Sequence, residues 1–172
     1  MTMKQTEYTN ITHSFPPFYS ESSRLLILGS FPSVKSREDG FFYGHPQNRF
    51  WKVLAAVYSE AVPTDIGQKK ALLGRHGLAL YDVIYSCDII GSSDSSIKNV
   101  IPANLNEIIG NSQVSRIILN GKTAERFFRR YQDGSLLDMA AVMPSTSPAN
   151  AAFSLQKLTE VWGDALLCGN VK

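Results

Sequence analysis

The chain has 172 residues, a net charge of +2, 44% apolar residues and 19% charged residues. These values exclude a globally disordered chain and are typical of a compact protein with a substantial core. The weak positive charge permits nucleic-acid binding without requiring it, and no apolar run is long enough to span a bilayer.

Short apolar runs bounded by turn residues predict strands at residues 24–30, 78–84, 114–120 and 139–143. Apolar residues at helical spacing predict helices at residues 48–58, 68–74, 103–109, 123–131 and 154–167. Because the apolar runs are continuous and alternate with helices, they indicate buried parallel strands. We expect an α/β fold, a three-layer α/β/α sandwich with a short, mostly parallel four-stranded sheet. We expect one domain over residues 1–172, with residues 1–23 as an N-terminal arm packed on it.

Three polar loops follow predicted strands, and a fourth segment combines aromatic and polar residues. The loops are residues 29–33, 120–123 and 144–150, and the fourth segment, GFFYGHPQNRFW, covers residues 40–51. In an open α/β sheet, ligands bind at the carboxyl ends of the strands. We therefore expect these segments to form one cleft, with Asn48 projecting from the first turn of a helix beside an aromatic surface.

Several chemistries are disfavoured by missing motifs. The sequence has no GxGxxG or GxxxxGK[ST] pattern for a nucleotide phosphate and no GxSxG for a serine hydrolase. Its three histidines are scattered, without HExxH or cysteine partners, so we expect no metal site.

The motifs that remain resemble the uracil-DNA glycosylase superfamily over nearly the whole chain. The resemblance is carried by GSFPS at residues 29–33, HPQNRFW at 45–51 and PSTSPAN at 144–150. The HPQNRFW segment is similar to the mismatch-specific uracil-DNA glycosylases. Many members carry Asn or Asp before the proline of the first motif, where this chain has Phe31. That departure is similar to the hypoxanthine-DNA glycosylase branch, which removes deaminated adenine.

The resemblance implies a monofunctional enzyme that flips a hypoxanthine nucleotide out of DNA and hydrolyses its glycosidic bond. Asn48 is then the catalytic residue, because an amide oxygen can orient water without titrating. Tyr43 stacks on the base, with Phe42 as an alternative, and a base stack contributes about 1–3 kcal/mol. The base pocket is completed by the turn after the first predicted strand, called the first turn below, and by a structural histidine. These residues are Ser30, Phe31, Pro32, Ser33 and His45. No metal or organic cofactor is implied, and no lysine in this pocket could form a Schiff base.

The expected partner is DNA containing a deaminated base. We expect a cytoplasmic monomer that does not bind a membrane. The resemblance implies that Ser145 grips a phosphate and that Thr146, Ser147 and Asn150 enter the minor groove. Arg49 and Lys122 lie near strand-end loops, where they could contact phosphates. We expect Asn120 to cap the helix that begins near Thr123. The arginines of the same helix, Arg126, Arg129 and Arg130, are interpreted as a solvated face.

Two other functions stay open at this point. The same fold could excise uracil or xanthine, because the sequence does not show where the hydrogen-bonding groups of the pocket point. Alternatively, the chain could bind damaged or single-stranded nucleic acid without catalysis, and Phe31 at the first turn favours that interpretation. A binder would form a stable complex and release no base.

Overall fold

The computed structural model of the protein describes residues 7–168. Seven strands are present in this range: β1 Thr9–Thr12, β2 Leu25–Gly29, β3 Leu78–Asp82, β4 Ile84–Ile89, β5 Lys98–Pro102, β6 Arg116–Asn120 and β7 Ala140–Met143. The helices are α1 Val34–Asp39, α2 Phe50–Val57, α3 Ile66–Arg75, α4 Asn106–Gly110, α5 Lys122–Tyr131, α6 Gly134–Leu137 and α7 Leu155–Leu167. A short 3-10 helix covers Asp94–Ser96.

Four strands form a parallel sheet in the order β3-β2-β6-β7. All residues of β2 and β3 are buried, which explains why both segments appear in the sequence as continuous apolar runs. The predicted α/β class and four-stranded sheet are confirmed, and each of the four predicted strands overlaps one strand of this sheet.

A second, antiparallel sheet in the order β1-β4-β5 was not predicted. Its central strand, β4, follows β3 of the parallel sheet directly, with only Val83 between them. Strand β1 belongs to the predicted N-terminal arm, of which residues 1–6 lie outside the described residues. Further along the arm, Phe15 is buried in the core and Phe18 pairs with Leu80 of β3.

Helix α1 was also not predicted, and helix α2 begins later than expected. The hydroxyl of Ser33 caps α1 by accepting a hydrogen bond from the Ser36 backbone N–H at 3.1 Å. Helix α2 begins at Phe50, so Asn48 precedes the helix instead of projecting from its first turn. The apolar face of α2 contacts α7, and the largest fully buried side chain, Trp162, lies in that contact beside Phe50.

The order of the parallel strands places a crevice at the carboxyl end of the sheet. The connection from β2 leads to β3 on one side, whereas the connection from β6 leads to β7 on the other side. Adjacent strands whose connections diverge leave a gap between the loops that follow them. The final residues of these strands, Gly29 of β2 and Asn120 of β6, therefore lie at the floor of the crevice, with Asp82 of β3 paired to Gly29. Between residues 7 and 168, no helix has both the length and the apolar character needed to cross a membrane.

Candidate active site

A cleft of about 510 Å³ lies at the carboxyl end of the parallel sheet. It brings together the first turn, the aromatic segment and the loop after β7, as the sequence predicted. The predicted site residues that line it are Ser30, Phe31, Pro32, Ser33, Phe42, Tyr43, His45, Asn48, Ser145, Thr146 and Ser147. Three predicted site residues do not line it: Arg49, Lys122 and Asn150.

A chain of hydrogen bonds fixes the orientation of two amides in this cleft. The backbone N–H of Thr146 donates to Asn120 Oδ1 at 3.0 Å, and Asn120 Nδ2 donates to Thr146 Oγ1 at 3.0 Å. The Thr146 hydroxyl in turn donates to Asn48 Oδ1 at 2.9 Å, and the same oxygen accepts from the Phe50 backbone N–H at 2.9 Å. Because backbone N–H groups can only donate, neither amide can be turned around without losing a hydrogen bond.

The network changes the chemistry expected of Asn48. An amide oxygen has two lone pairs, and both are engaged here by Thr146 and Phe50. The prediction that this oxygen orients the attacking water is therefore not supported by the geometry. The Nδ2 group has no partner in the network, so Asn48 offers the cleft two N–H donors. Asn120 does not cap α5 as predicted, because its side chain is used by Thr146 and the cap position is Gly121.

Tyr43 provides an aromatic wall of the cleft. Its ring stacks on Phe50 with centroids 4.0 Å apart and an interplanar angle of 25°, so one face is covered and the other is turned away from Phe50. Its φ of 54° is unusual for a residue other than glycine. Burial, together with the negative charge of Asp82, raises the pKa of the phenol well above its usual range. Phe42, the alternative stacking residue, is only 2% exposed and packs at 4.8 Å from Phe15 in the core.

The first turn supplies polar groups at the mouth of the cleft. The Ser30 hydroxyl points to the Asp94 carboxylate at 3.4 Å, whereas the Ser33 hydroxyl is occupied as the cap of α1. Phe31 is buried with 8% exposure, which makes it an apolar wall at the position where the resembled family carries Asn or Asp. Desolvation by the surrounding loops raises the pKa of the Asp94 carboxyl, and the Ser30 hydrogen bond opposes that rise.

The predicted DNA-contact loop after β7 is tied to the protein more tightly than expected. Thr146 is fully buried, which does not support the prediction that it enters the minor groove. The Arg49 guanidinium donates to three backbone carbonyls of this loop and its continuation, those of Ser147 at 2.9 Å, Asn150 at 3.0 Å and Phe153. With both terminal nitrogens of Arg49 engaged in this way, the predicted phosphate contact of this residue is not supported. Arg49 instead holds the loop in place.

The remaining predicted DNA contacts differ in how free their side chains are. The Asn150 amide donates to the Ser145 carbonyl at 3.0 Å, so it braces the loop from inside. The Ser145 hydroxyl accepts from the Ser147 N–H at 3.1 Å, which leaves its own hydrogen available for an acceptor. Lys122 is exposed at the first residue of α5, and His45 is exposed with Nδ1 accepting from the Gln47 N–H.

Two carboxylates in the cleft were not identified from the sequence. Asp82 ends β3 and is 4% exposed, and Asp94 lies in the polar loop after β4. Asp82 is the single charged residue in the apolar run at residues 78–84. This run predicts a buried strand but does not show that the Asp82 side chain faces the cleft. Among residues 7–168, no group of three or more His, Cys, Asp or Glu side chains is arranged to hold a metal ion.

The absence of a side chain at Gly29 allows close approach at the cleft floor. A Cβ placed there would lie 2.6 Å from Asp82 Oδ1 and 3.1 Å from the Tyr43 hydroxyl oxygen. We expect Gly29→Ala to destabilise the protein by about 1–3 kcal/mol, because both side chains are buried and must shift. Chemical denaturation would measure this loss. Gly110→Ala is the matched control, since a Cβ there meets nothing within 4 Å; equal destabilisation by both changes would contradict the prediction.

Comparisons with known proteins agree with this architecture. The family model described as "Uracil DNA glycosylase superfamily" matches residues 16–166. A protein named hypoxanthine DNA glycosylase from Methanosarcina acetivorans is 30% identical over 158 residues, which cover 87% of this chain and 95% of that protein. Another of that name from Methanosarcina barkeri is 35% identical over 86 residues, covering 49% and 54% of the two chains.

A solved structure shows the same fold. It is a solution NMR structure of a Methanosarcina acetivorans protein whose name refers to uracil DNA glycosylase, with a TM-score of 0.72 and 28% identity. The similarity covers 88% of this chain and 94% of that one. Since the family model spans most of the chain, including every strand of the parallel sheet, the chain belongs to the uracil DNA glycosylase superfamily and is a DNA glycosylase.

Proposed function

We propose that this protein excises hypoxanthine from deoxyinosine in DNA and leaves an abasic site, as a step of base excision repair. Two relatives at 30% and 35% identity carry the name hypoxanthine DNA glycosylase. The base reaches the cleft by flipping out of the duplex, since an atom inside the stack is inaccessible to the enzyme. The cleft volume of about 510 Å³ is large enough for a base with part of its sugar.

The fixed direction of the Asn48 amide is the observation that carries this proposal. Deamination of adenine replaces a 6-amino group, which donates hydrogen bonds, by a 6-oxo group, which accepts them. Asn48 cannot turn its amide without losing bonds to Thr146 or Phe50, so it presents a donor to whatever base enters. A donor binds O6 of hypoxanthine and leaves the 6-amino group of adenine unpaired, and an unpaired buried polar group costs about 1–3 kcal/mol.

The other proposed contacts follow from where the side chains lie. The face of Tyr43 opposite Phe50 stacks on the flipped base. The Ser145 hydroxyl, Ser147 and the exposed Lys122 contact phosphates or sugars near the flipped nucleotide. Water is the nucleophile, because no lysine lines the described cleft to form a Schiff base. A hydrolysis of this kind is proposed to proceed without a metal or organic cofactor.

A base-release assay on matched duplexes tests the proposed substrate. Each duplex carries one deoxyinosine, deoxyuridine, deoxyxanthosine or deoxyadenosine, and alkali converts any abasic product to a strand break. We expect strand breaks mainly at deoxyinosine. Release mainly of uracil or xanthine would reject the proposed base but keep the enzyme class. Such release would still be compatible with a donor at Asn48, because the oxo groups of these bases also accept hydrogen bonds. Stable binding without release from any duplex would favour a non-catalytic module.

A further inference from the structure

A buried carboxylate lies at the floor of the cleft and has no role in the function proposed so far. Asp82 ends β3, is 4% exposed and lines the cleft. Its Oδ2 accepts a hydrogen bond from His13 Nε2 at 2.8 Å, and the His13 side chain is itself buried. His13 belongs to the N-terminal arm and precedes the region matched by the family model, residues 16–166.

The second oxygen of Asp82 is free to act on a ligand. Within residues 7–168, the Asp82 side chain accepts from His13 through Oδ2, and no described hydrogen bond involves Oδ1. This oxygen lies beside the Gly29 backbone, at the root of the first turn, because a Cβ on Gly29 would approach it to 2.6 Å. His13, Tyr43, Tyr81 and Asp94 are ionisable groups near Asp82, and no lysine or arginine among residues 7–168 forms an ion pair with it.

The other candidate acceptors in the cleft are already engaged or less enclosed. Asn48 Oδ1 and Asn120 Oδ1 are engaged by protein donors. Phe31 stands in the first turn and cannot accept a proton. Asp94 is partly desolvated, as its raised pKa shows, but it lies in an exposed loop and its carboxylate already accepts from the Ser30 hydroxyl. Asp82 is thus the one described carboxylate that is enclosed by the floor and has an unpaired oxygen.

We propose that Asp82 is a catalytic residue that takes the proton of the attacking water, and that His13 is a positioning residue that holds its carboxylate. The proposal rests on the proposed function, because it requires glycosidic hydrolysis in this cleft. The water oxygen forms a bond to C1′ while the C1′–N9 bond breaks and its electron pair leaves with the base. The water proton moves to Asp82 Oδ1 and is then returned to the departing base or to solvent, so that atoms and charge balance.

The position of Asp82 also suits the charge that develops during this reaction. The deoxyribose becomes positively charged as the bond to the base lengthens, and a fixed carboxylate in an enclosed site stabilises that charge without reorganisation. His13 fixes the carboxylate because its ring is held between Phe15, at 4.6 Å, and Tyr81, at 4.7 Å. Its other nitrogen, Nδ1, is buried and has no partner, so the bond to Asp82 is the polar contact that orients the ring.

Replacement of Asp82 by asparagine tests the role directly. The amide keeps the shape and can still accept from His13, but it cannot take a proton from water. Under single-turnover conditions with excess enzyme, we expect Asp82→Asn to slow hypoxanthine release by about 100-fold or more. Binding to a duplex with an uncleavable 2′-fluoro-deoxyinosine should stay within about threefold of wild type, because the proposed role is in the chemical step.

Asp88→Asn is the matched control. Asp88 lies on β4 outside the cleft, where the amides of Asn10 and Asn99 donate to its carboxylate, each at 2.8 Å. The same chemical change at this surface position should leave both the rate and the binding unchanged. If Asp82→Asn folds, binds the uncleavable duplex and releases base as fast as the Asp88→Asn control, the proposal is wrong.

A second variant covers the case in which Asp82→Asn does not fold. Asp82→Ala removes the side chain and leaves space for formate beside Gly29, so a release rate that increases with formate concentration supports the proposal. A folded Asp82→Ala variant that binds the duplex but does not respond to formate contradicts it. His13→Gln should lower kcat with little change in KM, and the double variant with Asp82→Asn should be no slower than Asp82→Asn alone.

The wild-type protein separates the two proposals. If it releases a base other than hypoxanthine, the proposed substrate is wrong, and the Asp82 variants are measured on the base that is released. If it releases deoxyinosine-derived hypoxanthine at a rate that Asp82→Asn does not change, the substrate is right and the role of Asp82 is wrong. If it binds every duplex and releases nothing, both proposals fail.

Discussion

Replacing Asn48 by aspartate is expected to slow hypoxanthine release by about 100- to 1,000-fold, as the loss of one fixed donor does in other enzyme sites. The carboxylate keeps an oxygen where Asn48 Oδ1 accepts from Phe50 and Thr146, so those two hydrogen bonds are retained. The change therefore replaces the Nδ2 donor by an acceptor and does little else. Single-turnover release from a deoxyinosine duplex would measure the effect, and chemical denaturation should show a nearly unchanged free energy of unfolding.

Asn48→Asp also distinguishes the donor role from the role predicted from the sequence. If Asn48 oriented water through an acceptor oxygen, aspartate would preserve or increase the rate. Retained activity in Asn48→Asp would therefore contradict the interpretation of the hydrogen-bond network. Asn48→Ala provides the comparison, because it removes both the donor and the acceptor and should lower stability as well as rate.

The parallel sheet could be predicted because its strands appear in the sequence as runs of consecutive apolar residues. Strands β2 and β3 are buried on both faces, so nearly every residue in them is apolar. The antiparallel sheet lacks that signal. Strand β1 is the short polar segment Thr9–Thr12, three of whose four residues are exposed, and β5 is mostly exposed as well. Their pairing with β4 depends on tertiary contacts and not on a local pattern.

The position of the cleft could be predicted, but the roles of several residues within it could not. Strand ends and their loops are local features, and they placed Ser30, Tyr43, Asn48 and Ser145 on one cleft. The direction of the Asn48 amide depends on Thr146, which is 98 residues away in the chain. No local pattern reveals such a partner, and an amide at a helix start reads the same whichever of its atoms faces the cleft.

The roles of Asp82 and Arg49 also depend on contacts that are distant in the chain and could not be predicted from the sequence. In the sequence, a carboxylate near the end of an apolar run indicates only that a strand ends there. The approach of His13 from the arm makes it a buried, oriented group. Conversely, an arginine near a strand-end loop of a DNA-binding protein suggests a phosphate contact. The guanidinium instead turns inward, where both of its terminal nitrogens donate hydrogen bonds to loop carbonyls.

Arg49→Met is expected to reduce the free energy of unfolding by about 2–4 kcal/mol, because it leaves carbonyls of Ser147, Asn150 and Phe153 without their charged donor. Methionine keeps most of the apolar volume of the side chain, so the loss isolates the hydrogen bonds. Chemical denaturation would measure it. Arg129→Met is the control, since Arg129 is exposed and, among the described residues, pairs with Glu125 one turn away and with no other carboxylate. The effect there should be below about 0.5 kcal/mol.

The salt dependence of DNA binding decides between this bracing role and a phosphate contact. Losing one phosphate contact lowers the slope of log affinity against log salt concentration by about 0.9. We expect Arg49→Met to leave that slope unchanged, while base release slows because Thr146 belongs to the loop that Arg49 holds and donates to Asn48. A reduced slope with wild-type stability would show that Arg49 leaves the loop carbonyls to bind a phosphate, and the bracing role would then be wrong.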